Sequence, residues 1–307
     1  MEEINVKKNF RFRLNFGFAL LIIALLVVVV GCGKSATPTT PAAAQKTEVP
    51  KPANPDLILA TTTSTQDSGL LDVLIPAFEK KTGYKVKTVA VGTGAALAMG
   101  EKGDADVLLV HAFASEKKLV DNKTAINYQL VMHNDFVLVG PATDPAKVKE
   151  TKTAVDALKA IYASPSIFVS RGDDSGTDKM EKALWTKASI KPAGTKYQST
   201  GQGMGQTLTI ASDKEGYTLT DRATYLATKK NLKLDILLQG ETSLLNIYHV
   251  MQVNPEKFPK VNAVGAKAFV DFMIDADTQK LIGSFGQDKY GQPLFFADAG
   301  KKMEDLK

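Results

Sequence analysis

The chain has 307 residues, 44% hydrophobic and 23% charged, an ordinary globular composition with material for one large core or two lobes. Its formal net charge of +5 is thinly spread, in basic runs no longer than pairs such as Lys229-Lys230, and gives no sign of a nucleic-acid partner. A single cysteine, Cys32, excludes an internal disulfide, and three histidines (His111, His133 and His249) without a second cysteine argue against a structural zinc site.

The first element is an export signal. Lys7, Lys8, Arg11 and Arg13 precede an apolar run from Phe16 to Val30, which ends in Val29-Val30-Gly31-Cys32. A basic segment, an apolar segment and a small residue before the cut define a secretory signal peptide. The run is shorter than the roughly 20 residues of a spanning helix. Cysteine directly after the cut resembles the bacterial lipobox. That resemblance implies a signal peptide over residues 1–31, a lipidated Cys32, and an extracytoplasmic protein anchored to the membrane. Residues 32–55 then form a tether, with Pro38, Pro41, Pro50, Pro52 and Pro55 and no apolar periodicity.

After Pro55 the pattern becomes that of a folded α/β domain. Leu57 to Ala60 predicts a strand and Thr61 to Ser68 a polar turn. Leu70, Leu71, Leu74, Ile75 and Phe78 then recur at helical spacing, closed by Lys80, Lys81 and Gly83. Val86 to Val91 predicts a strand, Ala95 to Gly100 a short helix and Val107 to Val110 a third strand. Phe136 to Val139 and Ile167 to Ser170 are further strands, followed by a helix over Asp178 to Lys187. Lys196 to Ser199, Tyr217 to Thr220, Leu234 to Leu238 and Ile247 to Val253 read as strands. Helices are expected at Thr207 to Ala211 and around Ala266, Phe269, Val270 and Met273. Strands alternating with helices predict a parallel sheet. Two lobes are preferred to one large sheet, because the polar strand-to-helix turns fall into an early group and a mid-chain group. Ligands in such sheets sit outside the carboxyl ends of the strands.

Four turns carry the chemistry. Thr61-Thr62-Thr63-Ser64-Thr65 places five hydroxyls between a strand and a helix, where capping needs only one. Val91-Gly92-Thr93-Gly94-Ala95-Ala96 lets backbone approach a ligand, but fails as a dinucleotide signature because Leu97 holds the third glycine position. Ser170-Arg171-Gly172-Asp173-Asp174-Ser175-Gly176-Thr177 offers a guanidinium, hydroxyls and a row of N–H groups. It lacks the lysine of a P-loop and the first glycine of a nucleophile elbow. In the bland alternative, Arg171 pairs with Asp173 or Asp174 in a surface turn. Gly201-Gln202-Gly203-Met204-Gly205 packs backbone closely against a neighbour. Such turns suit an oxyanion, which accepts hydrogen bonds and, when fully ionised, donates none. A protonated oxyanion such as hydrogen phosphate would need a buried acceptor, for which Asp173 and Asp174 are the candidates.

The phrases ATTTSTQDSGLL, VGTGAAL, GDADVLLVHA, NDFVLVGP, SRGDDSGT, GQGMGQTL and YTLTDR together resemble the TupA family of tungstate-binding proteins, solute receptors of bacterial ABC transporters. The resemblance covers nearly all of residues 56–300. It implies the type II periplasmic-binding-protein fold: two α/β lobes joined by crossing strands with the ligand in the cleft. Lobe one would span 56–138 plus 240–307, and lobe two 139–239. It puts Thr62, Thr63 and Ser64 of the first turn, Thr93 of the second, and Arg171, Ser175 and Thr177 of the third at the anion. Asp178 departs from the family, which often has His there. Tungstate is the expected ligand, with no cofactor and no protein-bound metal. The expected partners are an ABC permease and, through Cys32, the membrane; a monomer is expected.

Tungstate and molybdate have nearly equal size and charge, so only the resemblance favours tungstate over molybdate, sulfate or phosphate. The alternative of another class is an extracytoplasmic hydrolase using Ser175 or a histidine. It needs a nucleophile, a base and an orienting group in reach, and none of the three histidines lies in a candidate turn.

Overall fold

The computed structural model describes residues 51–306. The signal peptide, Cys32 and all but the end of the tether lie outside the described residues.

The chain begins with β1 (Asp56–Thr62), α1 (Thr63–Asp67), α2 (Leu71–Thr82), β2 (Lys85–Val91), α3 (Thr93–Lys102), β3 (Val107–Val110) and α4 (Phe113–Asp121). The long β4 (Ala125–Pro141) leads to α5 (Ala154–Ala163), β5 (Phe168–Ser170), α6 (Gly176–Lys187) and β6 (Tyr197–Ser199). Then come α7 (Met204–Asp213), β7 (Thr218–Asp221), α8 (Arg222–Thr228), β8 (Leu234–Leu238) and β9 (Leu245–Val253). The chain closes with α9 (Ala263–Ile274), α10 (Ala276–Ser284), α11 (Gln287–Tyr290) and β10 (Phe296–Ala297).

The sheet is mixed, which corrects the all-parallel expectation. It runs β10-β4-β9-β3-β1-β2, with β7 and β8 also on β4. Only β1 pairs in parallel with its neighbours β2 and β3; β9, β7, β8 and β10 are all antiparallel to their partners in this sheet. The cause is β4, whose 17 residues serve two sets of partners. Ala125 to Asp135 pair with β9, whereas from Phe136 onward the same strand pairs with β7 and β8. Sequence periodicity finds only Phe136 to Val139 of this strand. Its first half carries Asn127, Gln129, His133, Asn134 and Asp135, which mask the alternation.

Alternation of side chains across the pleat builds a core on each face. Leu57 and Leu59 of β1 join Phe78 of α2 and Phe269 of α9, whereas Ile58 and Ala60 join Leu97, Leu108 and Val253 on the opposite face. In the second half of β4, Phe136 and Leu138 pack with Leu158, Trp185 and Tyr217. Val137 and Val139 face the other way, toward Met204, Leu208 and Tyr225. A fully buried side chain such as Phe78 or Leu208 contributes about 1.5–3 kcal/mol. These four clusters hold the ends of β1, β2 and β5 fixed, and the first three candidate turns leave from those ends; the fourth follows β6.

Candidate oxyanion site

Each of the five hydroxyls in the first turn has a distinct local role. Thr61 Oγ1 donates to the Leu109 carbonyl at 2.7 Å and ties β1 to β3. Thr62 caps α1, its Oγ1 accepting from Thr65 N at 3.3 Å and lying 2.7 Å from Thr65 Oγ1. Thr63 Oγ1 accepts from Arg171 Nη2 at 2.8 Å. Ser64 Oγ stands 3.3 Å from His111 Nε2. The surplus over capping is therefore partly structural, and Thr63, whose oxygen accepts from Arg171, retains its hydroxyl hydrogen for use elsewhere.

The second and third turns interlock. Gly92 caps α3 with its backbone extended. Thr93 Oγ1, fully buried, accepts from Gly176 N at 2.9 Å, and Gly94 N donates to the Asp174 carbonyl at 3.2 Å. Gly92 is required by this approach, because the atom it faces is backbone. A Cβ on Gly92 would stand 2.8 Å from the Asp173 carbonyl oxygen, and one on Gly94 would overlap the Asp174 carboxylate. Ser175 caps α6, its Oγ accepting from Asp178 N at 3.1 Å. Asp178 reaches back, Oδ2 accepting from Asp174 N at 3.1 Å and from Lys182 Nζ at 2.5 Å. Asp178 thus ties the turn back to the helix one residue before the cap, while Ser175 N itself donates to Asp173 Oδ1 at 3.2 Å.

Arg171 is 1% exposed. Its Nη2 donates to Asp173 Oδ2 at 2.5 Å as well as to Thr63, so the pairing with Asp173 foreseen as the bland alternative is present. It is not the whole account, because Nε and Nη1 are buried without a partner, as is Thr177 Oγ1. Buried polar atoms are almost always hydrogen-bonded, so the unpartnered Arg171 and Thr177 donors mark a place for an acceptor. The fourth turn seals the same region. Gly201 N donates to the Arg171 carbonyl at 2.8 Å, and Gly205 N to Asp67 Oδ2 at 3.0 Å. A Cβ on Gly203 would lie 3.2 Å from Thr63 Oγ1. All seven residues expected at the anion therefore belong to turns that touch one another.

Sequence reading missed the polar chain beneath the first turn. His111 follows β3 directly, at the carboxyl end of a strand, which is the same criterion that singled out the four turns. None of the three histidines lies in a candidate turn along the chain, but the fold brings His111 against the first one: its Nε2 lies 3.1 Å from Thr62 Oγ1 and 3.3 Å from Ser64 Oγ. Its Nδ1 lies 2.7 Å from Asn246 Oδ1, and Asn246 Nδ2 donates to Asn134 Oδ1 at 2.8 Å. Asn134 Nδ2 reaches Asp221 Oδ1 at 3.4 Å. Asn134 and Asn246 are cross-strand neighbours of β4 and β9, a pairing invisible before the ladder is known. The acceptors suggested from sequence also shift. Asp173 is engaged by Arg171 and by Ser175 N, and Asp174 pairs with Lys179. Two buried carboxylate oxygens are without a partner among the described residues, Asp178 Oδ1 and Asp221 Oδ2.

Burial pushes the Asp221 carboxyl up to about 6, against the Thr224 N hydrogen bond and the Arg171 charge, which lower it. Burial drives His111 down to about 4, opposed by the Asn246 hydrogen bond and reinforced by Arg171. Their linkages have opposite signs. Asp221 holds its proton better folded than unfolded, so its contribution is present at low pH and lost as pH rises toward 6. His111 takes its proton more readily unfolded, so its contribution is lost as pH falls from 6.5 toward 4. Asp221→Asn keeps the cap on Thr224 N and removes one of the two opposed effects. Its apo Tm should climb more steeply than wild type between about pH 4 and 6.5, and exceed wild type at about pH 7.5. Scanning calorimetry checks this; parallel Tm curves would rule out the titration of Asp221.

Among the described residues, no group of three or more His, Cys, Asp or Glu side chains is placed to hold a metal ion. A cavity of about 360 Å³ lies on the other face of β4, lined among others by His133, Asp135, Arg222, Glu241 and Phe296; Arg222 pairs with Asp135, and Glu241 accepts from Ala154 N and Ser243 Oγ.

Residues 36–277 match the family model of the PBP superfamily domain. The chain is 51% identical over 251 residues to the tungstate-binding protein TupA of Peptoclostridium acidaminophilum, covering 81% of this chain and 88% of that one. A solved structure described as the tungstate ABC transporter from Geobacter sulfurreducens is 48% identical with a TM-score of 0.69, covering 75% of this chain and 98% of the other. The tungstate-binding protein TupA of Desulfovibrio alaskensis is 47% identical with a TM-score of 0.65, covering 80% and 99%. These are solute-binding proteins, not enzymes. By its strand order, its interlocked turns and these identities, the chain belongs to the PBP superfamily and, within it, to the family of TupA tungstate-binding proteins.

Proposed function

We propose that this protein captures tungstate outside the cytoplasm and delivers it to an ABC transporter. The observation that carries the reading is the cluster of buried donors without partners, Arg171 Nε and Nη1 with Thr177 Oγ1, in turns bound to Thr63 and Thr93. Ser64, Ser175 and the extended backbone at Gly92 complete a shell of donors. Such a shell suits a fully ionised tetrahedral oxyanion and requires no bridging cation. Support for tungstate over molybdate, sulfate or phosphate comes from the family alone, since the hydrogen-bonding chemistry is shared.

Saturating tungstate, at about 100 times Kd, should stabilise the protein by about 2.7 kcal/mol, a rise in Tm of roughly 5–10 °C for a domain of this size. Binding should survive a chelator and vary little between about pH 6.5 and 8, where Arg, Ser and Thr do not titrate. Asp221 and His111 titrate below that window. A Tm unmoved by tungstate, molybdate, sulfate and phosphate alike would sink the reading, and loss of binding in EDTA would replace the donor shell with a metal-bridged site.

The change of partners along β4 at Asp135 and Phe136 supports a division into two lobes near the proposed limits, with 56–138 plus 240–307 in one and 139–239 in the other. The first two turns then belong to one lobe and the last two to the other, joined across the cleft by the Arg171–Thr63 and Gly176–Thr93 bonds. Export and anchoring through a lipid on Cys32 rest on the signal-like N-terminus. Metabolic labelling with a fatty acid should mark the wild type and not Cys32→Ala; equal label in both would overturn the anchor. The receptor is expected to act as a monomer.

A further inference from the structure

The polar chain under the first turn has a direction, and the direction is set at its far end. An ionised Asp221 only accepts hydrogen bonds, so Asn134 presents Nδ2 to it and turns Oδ1 toward Asn246. Both amide hydrogens of Asn246 are then spent, one on Asn134 Oδ1 and one on Tyr248 Oη at 3.0 Å. That leaves Asn246 Oδ1 as an acceptor 2.7 Å from His111 Nδ1, which therefore carries the imidazole proton. Burial keeps the ring neutral, so Nε2 bears a lone pair. It faces Thr62 Oγ1 at 3.1 Å and Ser64 Oγ at 3.3 Å.

Thr62 and Ser64 have one hydroxyl hydrogen each, and their oxygens lie 3.1 Å apart. Without the imidazole lone pair, the Ser64 hydrogen can turn to Thr62 Oγ1 and be lost to a ligand. With it, Thr62 donates to Nε2 while its oxygen accepts from Thr65 N and from Thr65 Oγ1, 2.7 Å away, so it offers no lone pair to Ser64 and Ser64 does not donate inward. The ring is held for this task. It packs on Tyr248 with centroids 4.6 Å apart, and a Cβ on Gly176 at the start of α6 would stand 2.7 Å from both Cε1 and Nδ1. His111 thus touches the first turn and the third at once.

We propose that His111 is a positioning residue of the oxyanion site: its Nε2 lone pair draws the Thr62 hydroxyl hydrogen and leaves the Ser64 hydroxyl hydrogen to the bound anion. The inference rests on the oxyanion reading given above and names a residue that acts through the hydroxyls without touching the ligand. His111→Phe keeps an aromatic ring on Tyr248 and removes the lone pair. Tungstate affinity, read by calorimetry, should fall about ten- to a hundredfold, the scale of one hydrogen bond to a charged acceptor. In a Ser64→Ala background, where the positioned hydrogen is absent, the same change should cost less than about threefold. An equal loss in both backgrounds would show a merely structural role and overturn the proposal. His111→Gln, which restores an acceptor, should recover affinity to within roughly fivefold of wild type, and it serves as the test variant if His111→Phe does not fold. Nitrogen NMR of the wild-type imidazole at neutral pH, without ligand, should show Nδ1 protonated and Nε2 bare; a protonated Nε2 would overturn the proposal directly. A wild type that binds no oxyanion yet shows this tautomer would instead overturn the oxyanion reading, so the two failures are distinguishable.

Discussion

Arg171→Ala is expected to weaken tungstate binding by about ten- to a few-hundredfold. The guanidinium is buried, and Nη2 is already spent on Asp173 and Thr63, so the two nitrogens left for a ligand are Nε and Nη1. They lie on different edges of the guanidinium, so each can give its own hydrogen bond to an acceptor, but together they do not form a parallel fork. A hydrogen bond to a charged group contributes about 1.5–3 kcal/mol, and about 1.4 kcal/mol is a factor of ten in affinity. Arg171→Lys keeps the charge but loses the fixed, planar set of donors, and should fall between wild type and Ala. Thr63→Val removes the acceptor of the Nη2 bond at nearly constant volume and should cost less than Arg171→Ala. Because Arg171 also pairs with Asp173, the apo Tm of Arg171→Ala should drop too, and the two effects must be read separately. Calorimetry on the folded variant gives affinity, and apo melting gives the pair. Unchanged tungstate affinity with a lowered Tm would leave Arg171 as a structural residue only.

Gly92→Ala is expected to impair binding through the closed arrangement of the turns, by roughly five- to a hundredfold. The backbone at Gly92, φ −63 and ψ 150, is one that alanine adopts without strain, so the local cost is small. The obstacle is the other side: the new Cβ would stand 2.8 Å from the Asp173 carbonyl oxygen, a backbone atom of the turn that carries Arg171. Overpacking of this kind costs about 1–3 kcal/mol, which converts to the affinity loss stated. The penalty falls only where the turns meet. Tungstate affinity should drop while the apo Tm in a form with the turns apart stays near wild type, and small-angle scattering should show less compaction on adding tungstate. Affinity and compaction both equal to wild type would show that the second and third turns need not meet when the anion binds.

The sequence by itself determined the elements that carry the site. Strand-to-helix turns at Thr62, Gly92 and Ser175 are legible because apolar runs of period two stop at hydroxyls and glycines before a helical repeat begins. All three cap helices in the structure. The buried Arg171 was legible as the one cation within those turns. Family membership was legible because seven ordered phrases span the domain, and the identities to solved relatives bear it out. Only the tertiary structure decided how the turns meet. Thr63 and Arg171 are 108 residues apart and Thr93 and Gly176 are 83 apart, so their bonds depend on long-range closure and leave no periodic trace. The mixed sheet was hidden for a related reason, since β4 changes partners midway and its polar first half breaks the pattern from which strands are read. The chain His111, Asn246, Asn134, Asp221 comes from two strand ends and a cross-strand pair. Each residue alone is an ordinary polar side chain, and only packing without water forces them to satisfy one another and so gives the chain its direction.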